Sequence, residues 1–156
     1  MIIKLRIQLF LFFFFCSQAF TQSQVKLEGK WNIVSIDSKE FYYDFKKDSF
    51  ASKMPELFGT DIKRQNEFQN GIRMSFGSLY YRFNDKSQYM LCMPGLVRDS
   101  GDYTIRTNAG EIEFQSREPG VEIDIYKYKL NKGLLSLKMP MGETHIEMLL
   151  KKEEQN

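Results

Sequence analysis

The sequence predicts an all-β protein: a single antiparallel up-and-down barrel of about eight strands, with a short helical insert after the first strand. Three observations carry this reading. Beyond residue 71, apolar and polar residues alternate in run after run, which sets one face of each strand on a core and the other in water. Turn residues separate the runs at intervals of about 8–12 residues, the spacing of a meander. An open meander would leave two unpaired edges, and closure into a barrel removes them.

The chain begins with Lys4 and Arg6, then an apolar run from Ile7 to Cys16 that includes Phe12-Phe13-Phe14-Phe15, then Ser17-Gln18-Ala19. A basic start, an apolar middle and small residues at the cleavage positions make residues 1–19 a secretory signal peptide. The run is shorter than the roughly 20 apolar residues a membrane span needs, so no span is expected after cleavage. Cys16 offers a lipid anchor as a second outcome, although Phe15 stands where a small residue usually precedes such a cysteine. The expected organisation is a signal peptide at 1–19, a linker at 20–24, the barrel domain at 25–152 and a polar tail at 153–156.

The first strand is read from Leu27 to Ile36 and carries Trp31, Ile33, Val34 and Ile36. Between Asp37 and Gly71 alternation is lost, and so long a structureless connection is improbable in a compact domain. Phe50, Met54, Leu57 and Phe58 fall at helical spacing, with Ser52 as a cap and Pro55 in a first turn, so one or two short helices are expected. The aromatic group Phe41-Tyr42-Tyr43 with Phe45 reads as a cluster packing this loop onto the barrel, or as a mouth or an exposed partner patch.

The remaining strands follow in order. Ile72, Met74 and Phe76 alternate, then Leu79, Tyr81 and Phe83 up to a turn at Asn84-Asp85-Lys86. Tyr89, Leu91 and Met93 end at Pro94-Gly95, and Asp99-Ser100-Gly101-Asp102 reads as another turn before Tyr103 and Ile105. Asn108-Ala109-Gly110 leads into Ile112 and Phe114, and Pro119-Gly120 into Val121, Ile123 and Ile125. The apolar phase changes from odd to even between Ile125 and Leu130, which reads as a bulge or a sharp bend. Asn131-Lys132-Gly133 is a hairpin signal. Leu135, Leu137 and Met139 precede a turn at Pro140 to Gly142, and Ile146, Met148 and Leu150 form the last strand.

Charge narrows the function classes. Signal cleavage removes Lys4 and Arg6 from the 22 basic residues, bringing them level with the 20 acidic ones. A neutral mature chain argues against nucleic acid or an anionic membrane surface as the main partner. Cys92 would be the one cysteine left, so the core must hold the domain without an internal disulfide. The thiol itself reads as a small buried hydrophobe.

A Gly-x-Trp in Leu27-Glu28-Gly29-Lys30-Trp31 opens the first strand directly after a signal peptide. Gly101-Asp102-Tyr103 supplies a middle Gly-x-Tyr, and Tyr128-Lys129-Leu130, Leu134 to Lys138 and His145 to Lys151 close the chain. With these features nearly the whole mature chain resembles the lipocalin superfamily, and more narrowly the small exported bacterial lipocalin-like barrels of the Bacteroidetes type. The helical insert is similar to the lid of fatty-acid-binding proteins, which also follows a Gly-x-Trp strand. The resemblance implies a barrel that carries a small apolar ligand. The final-strand Arg that often covers the Trp has no counterpart, and Lys151 or Lys152 stands where it could serve. Gly29 and Trp31 are assigned to barrel closure: the ring plugs one end, and the glycine lets backbone come close.

Tyr81, Phe83, Tyr89, Tyr103 and Phe114 lie on the apolar phase of their strands and are the candidate ligand-binding residues; the alternative is that they simply fill the barrel. Met90, Cys92, Met93, Met139 and Met141 are soft donors of the kind copper(I) takes, but core packing is the preferred reading and no metal or cofactor is expected. His145 is the only histidine, so a Cys–His pair would have to join Cys92 to His145. Glu111, Glu113, Glu122 and Asp124 would make a four-acid surface if their strands paired, with Arg117, Lys127 and Lys129 turning it into a mixed-charge face. The leading expectation is a periplasmic or secreted non-catalytic module binding a small hydrophobic ligand or an envelope protein. A ligand-free interaction domain with a filled barrel comes second, and an enzyme on a barrel scaffold third.

Overall fold

The computed structural model describes residues 25–58 and 61–154. The expected signal peptide with Cys16 and the linker lie outside the described residues. In chain order the elements are β1 (Gly29–Ser38), β2 (Phe41–Asp44), β3 (Ser49–Ser52), α1 (Pro55–Phe58), α2 (Ile62–Phe76), β4 (Tyr80–Phe83), β5 (Gln88–Met93) and β6 (Leu96–Arg106). There follow a 3₁₀ turn (Thr107–Ala109), β7 (Glu111–Ser116), β8 (Asp124–Asn131), β9 (Leu134–Met141) and β10 (Thr144–Lys152).

From β4 to β10 each strand pairs antiparallel with the next, and β1 closes the ring by pairing with both β4 and β10. The result is a closed eight-stranded antiparallel barrel of β1 and β4 to β10, with the β2–β3 hairpin as an extension. One edge of β1 is taken along its length by β10, from Trp31 opposite Lys152 to Ser38 opposite Ile146. The other edge is divided: Gly29–Asn32 pair with β4, and Ser35–Asp37 pair with β2. The division falls at a bulge in the β1–β10 ladder between Ile33 and Ser35, where the Val34 carbonyl accepts from the Phe45 N–H at 3.0 Å.

The core is the inward phase of these strands: Trp31, Ile33, Ile36, Tyr81, Phe83, Tyr89, Tyr103, Ile112, Phe114, Tyr126, Leu135, Leu137, Met148 and Leu150 are all buried. The helical insert holds a smaller aromatic cluster against the hairpin. Phe68 of α2 meets Phe41 and Phe50 edge-on, with ring centroids 5.4 and 5.8 Å apart. Asp61 caps α2, its carboxylate accepting from the Arg64 N–H at 3.0 Å. Phe41 and Tyr43 are therefore buried strand residues rather than a mouth.

Four expectations are corrected. Ile72, Met74 and Phe76 are not a strand but the last turn of α2; Phe68, Ile72 and Phe76 recur every four residues, and Met74 between them is 77% exposed. Asp99 to Asp102 do not turn, because β6 runs straight through them and the reversal sits at Pro94-Gly95, where Gly95 has φ +77°. No bulge interrupts β8, whose ladders to β7 and β9 are continuous. The phase change arises because Val121 and Ile123 lie outside the strand; they and Ile125 are exposed, and β8 points Tyr126 inward. Phe50 and Ser52 are not part of a helix and its cap but residues of β3, paired with β2 in a hairpin, and the first helix begins only at Pro55.

Two glycines show why the sequence needs them. Gly29 has φ +120°, a region that side chains rarely adopt, and a Cβ there would meet Lys152 Cε at 2.8 Å. The Lys152 stem runs over this gap and sets its ammonium 5.9 Å from the Trp31 ring centroid. The Trp31 Nε1–H donates to the Leu27 carbonyl at 2.6 Å, which folds residues 27–29 across this end of the barrel. Gly101 is in ordinary extended backbone, but a Cβ there would fall 1.9 Å from the Gln115 carbonyl oxygen and 2.9 Å from Tyr89 Cε1. The missing side chain is the space the Tyr89 ring uses.

Gly29→Ala should lower unfolding free energy by about 1–3 kcal/mol, the cost of a side chain at such a φ. Adding Lys152→Ala should recover little of this in urea titrations, since the flexible stem can move but the backbone cannot. Gly101→Ala should cost more than about 3 kcal/mol, because its clash is with strand backbone, and should reduce the recovery of folded protein.

Candidate functional site

The two ends of the barrel differ. At the Gly29–Trp31 end the chain itself forms a cover. At the opposite end stand the Pro94-Gly95 turn, the β7–β8 loop at 117–123 and the Gly142-Glu143 turn, and these loops carry exposed Leu96, Val97, Val121, Ile123 and Met141.

Within the lumen the structure brings all five expected residues together. Phe114 is the hub: its ring centroid lies 4.9 Å from Tyr89, 6.0 Å from Tyr81 and 6.3 Å from Phe83. Phe83 stacks on Tyr81 at 5.8 Å and meets Tyr103 edge-on at 5.0 Å. Such offset and edge geometries are the favourable ones for aromatic pairs. Tyr126 joins the hub at 5.2 Å; in the sequence the alternation of Val121, Ile123 and Ile125 hides it, because that alternation sets the opposite phase inward.

The tyrosines place their polar tips beside two carboxylates that sequence reasoning did not assign to the lumen. Asp99 sits on the inward phase of β6, opposite Leu91 and two residues before Gly101. Its Oδ2 accepts from the Tyr89 hydroxyl at 2.5 Å, and its Oδ1 accepts from Ser116 Oγ and from the Ser100 N–H, each at 2.7 Å. Asp124 is opposite Phe114 on β8 and exposed to solvent, and its Oδ2 accepts from the Tyr126 hydroxyl at 3.4 Å. The signal available in sequence was the two-residue spacing Asp99–Gly101–Tyr103, a single strand phase once the glycine is not taken for a turn.

Burial pushes the hydroxyls of Tyr81, Tyr89 and Tyr126 well above the ordinary tyrosine range. For Tyr89 the hydrogen bond to Asp99 adds to this, and for Tyr126 the charge of Asp124 does. Burial also raises Tyr103, with a smaller push from Glu28. These groups stay protonated throughout the physiological range, and Tyr89 and Tyr126 donate to their carboxylates.

The other candidates separate. Glu111 and Glu113 stay on the outer face, bound to Lys127 and Arg106 at 2.7 Å each. Asp124 is on the other strand phase and Glu122 lies outside the strands, so the four-acid surface does not form. Cys92 is a free buried thiol on the phase opposite the lumen, across from Tyr80. Two strands, β4 and β1, stand between its strand and that of His145. Among the described residues no three histidine, cysteine or acidic side chains converge on a metal position. No described helix is long and apolar enough to cross a membrane.

Fold and site together define a closed eight-stranded β-barrel with an aromatic lumen and an acidic, tyrosine-lined end. Among solved structures the chain is similar to a DUF4847 family protein from Bacteroides vulgatus ATCC 8482. The TM-score is 0.53 and the sequence identity 11%, over 83% of this chain and 95% of that one. At that identity the likeness shows the shared fold. No family model matches the chain, and no curated protein matches it.

The raised tyrosines fix a pH dependence. An unfolded tyrosine loses its proton near pH ~10, whereas the folded lumen holds it to higher pH. The unfolded state then binds fewer protons than the folded one, so stability falls as pH rises above that point. Urea midpoints should be flat with respect to these groups from pH 7 to 9 and drop above 10. Tyr81→Phe should make the alkaline decline shallower by up to one proton.

Proposed function

We propose that the mature chain is an exported, non-catalytic, lipocalin-like binding module that takes a small molecule against the aromatic wall of its barrel. The observation that carries this reading is the placement of Asp99. A barrel filled for stability alone gains nothing from a half-buried carboxylate on its inward phase, because even partly shielding a charge from water is costly. Asp99, Ser116, Tyr81, Tyr89 and Tyr126 instead give an aromatic wall with a few convergent polar groups, the composition of a small-molecule site. The Gly29–Trp31 cover with Lys152 over the ring supports the lipocalin-like assignment, and the secretory pattern of residues 1–19 supports export.

A second reading is favoured by the ring packing itself. With centroids at 4.9–6.3 Å around Phe114, the middle of the lumen is occupied by the protein's own side chains, so a long apolar chain has no room to thread through. The ligand of the first reading is therefore short and sits above Phe114. If nothing binds there, the domain is a filled barrel that acts through its outer surface.

Native mass spectrometry of the protein purified gently from its host's envelope tests this. A retained small-molecule mass that is lost in Tyr81→Phe or Phe83→Ala supports the binding module. A clean unliganded mass, with no rise in melting temperature across a panel of small aromatic and aliphatic compounds, overturns it in favour of the filled barrel.

A further inference from the structure

Outside the lumen, the barrel wall carries a notch between β8 and β9. β8 begins at Asp124 and β9 runs on to Met141, yet their ladder stops at Lys127 opposite Lys138. Pro140 is the reason. Along β9 the odd residues bond to β10, as the Gly133 carbonyl does in accepting from the Lys152 N–H at 3.0 Å. The alternation of an antiparallel ladder then turns the even residues toward β8. Pro140 is the next even residue after Lys138, and a proline has no N–H to give. On its other side Pro140 still pairs with His145 of β10, so only the β8 contact ends.

A hollow of 230 Å³ lies on the outer face at this place. Ile125 and Pro140 line it from the two strands, Thr144 and His145 from β10, and Lys127 and Lys138 from the last rung of the ladder. Ile125 is 44% exposed there. The hollow is smaller than the roughly 300–1,000 Å³ of sites for drug-sized ligands, so its occupant is a single ring or a short chain.

The acids around the hollow are already engaged. Glu111, which also lines it, holds the Lys127 ammonium at 2.7 Å. Glu113 is opposite Ile125 and holds Arg106 at 2.7 Å. Glu147 is opposite Lys138 and accepts from Ser136 Oγ at 2.5 Å, which draws it along β9 away from Pro140. Glu143 lines the neighbouring hollow with Asp37, Lys39 and Lys53, and not this one. Among the described residues, neither the Lys138 ammonium nor the His145 ring has an ion pair or hydrogen bond. The apolar floor is thus bordered by an unspent positive charge and a ring N–H.

We propose that this notch is a second site, separate from the lumen, for a small organic carboxylate with an apolar body. The body lies on Ile125 and Pro140, and the carboxylate meets the Lys138 ammonium and the His145 ring N–H. A cationic ligand would find every nearby carboxylate already paired. A neutral apolar one would shield Lys138 from water without compensation.

The test is an NMR titration of the protein with benzoate and with its neutral near-isostere, benzamide. The expected result is saturable binding of benzoate that moves the backbone amide signals of Ile125, Lys138 and His145 and leaves those of Tyr81 and Phe114 in place. Benzamide should bind about fivefold more weakly, the scale of one exposed charge contact. Lys138→Gln, at an exposed position with no ion pair to lose, should bring benzoate down to the benzamide level at an unchanged melting temperature, and Lys138→Arg should retain benzoate. Ile125→Thr should weaken both compounds. Equal affinity for the two compounds, indifference to Lys138→Gln or to Ile125→Thr, or no saturable shift with either compound overturns the notch as a carboxylate site and leaves the lumen reading untouched. Shifts centred on Tyr81 and Phe114 instead overturn the notch in favour of the lumen.

Discussion

The structure depends on the seam where β10 meets β1. Seven of the eight barrel strands follow one another through local turns, and the sheet they form would be open without that last pairing. The seam is secured at its end by a set of mutually required groups. Gly29 is free to adopt φ +120° and leaves room for the Lys152 stem; Lys152 reaches the Trp31 ring; Trp31 anchors the residues before the strand through the Leu27 carbonyl. Beyond the last strand the same zipper continues, with the Glu153 N–H donating to the Lys30 carbonyl at 2.8 Å and the Lys30 ammonium 2.6 Å from the Glu153 carboxylate. Removing any one member loosens the others, because a closed barrel has no free edge onto which the strain can relax.

The lumen is organised around the same economy of space. Phe114 touches four other rings, and the Tyr89 ring fits only because Gly101 has no side chain. The ring that fills the glycine's vacancy is also the one whose hydroxyl holds Asp99. Packing and polarity are thus coupled through a single residue pair. The carboxylate sits where it does because a missing Cβ on β6 admits the tyrosine that binds it.

Much of the barrel was legible in the sequence. Where one face of a strand is buried and the other wet, as in Tyr81–Phe83, Ile112–Phe114, Leu135–Met139 and Ile146–Leu150, a period of two survives in the residue types. Asn131-Lys132-Gly133 announces its hairpin because Lys132 and Gly133 both take positive φ. Legibility failed where periods coincide or where a glycine has two meanings. Ile72, Met74 and Phe76 satisfy a strand pattern over five residues, and only the longer Phe68–Ile72–Phe76 series shows the helix. Gly101 looks like turn punctuation in sequence but serves as a gap for a ring. The candidate site was half legible: the rings followed from alternation, whereas Asp99, Asp124 and Ser116 did not, since polar residues on an inward phase contradict the pattern used to find that phase.

The closing seam also bears on the time in which such a chain can find its fold. Its two partners lie at opposite ends of the domain; Asn32 and Glu153, joined across it, are 121 residues apart in sequence. The hairpins from β4 to β10 close over short loops, but pairing β1 with β10 must first bear the entropy of confining nearly the whole domain. Contacts of this span are the slow ones in β-proteins. Until they form, the barrel is a curled sheet with two bare edges, open to pairing with another chain. A lysine at the rim of the final strand is well placed for that interval, because an unpaired strand that ends in charge is a poor template for a stranger.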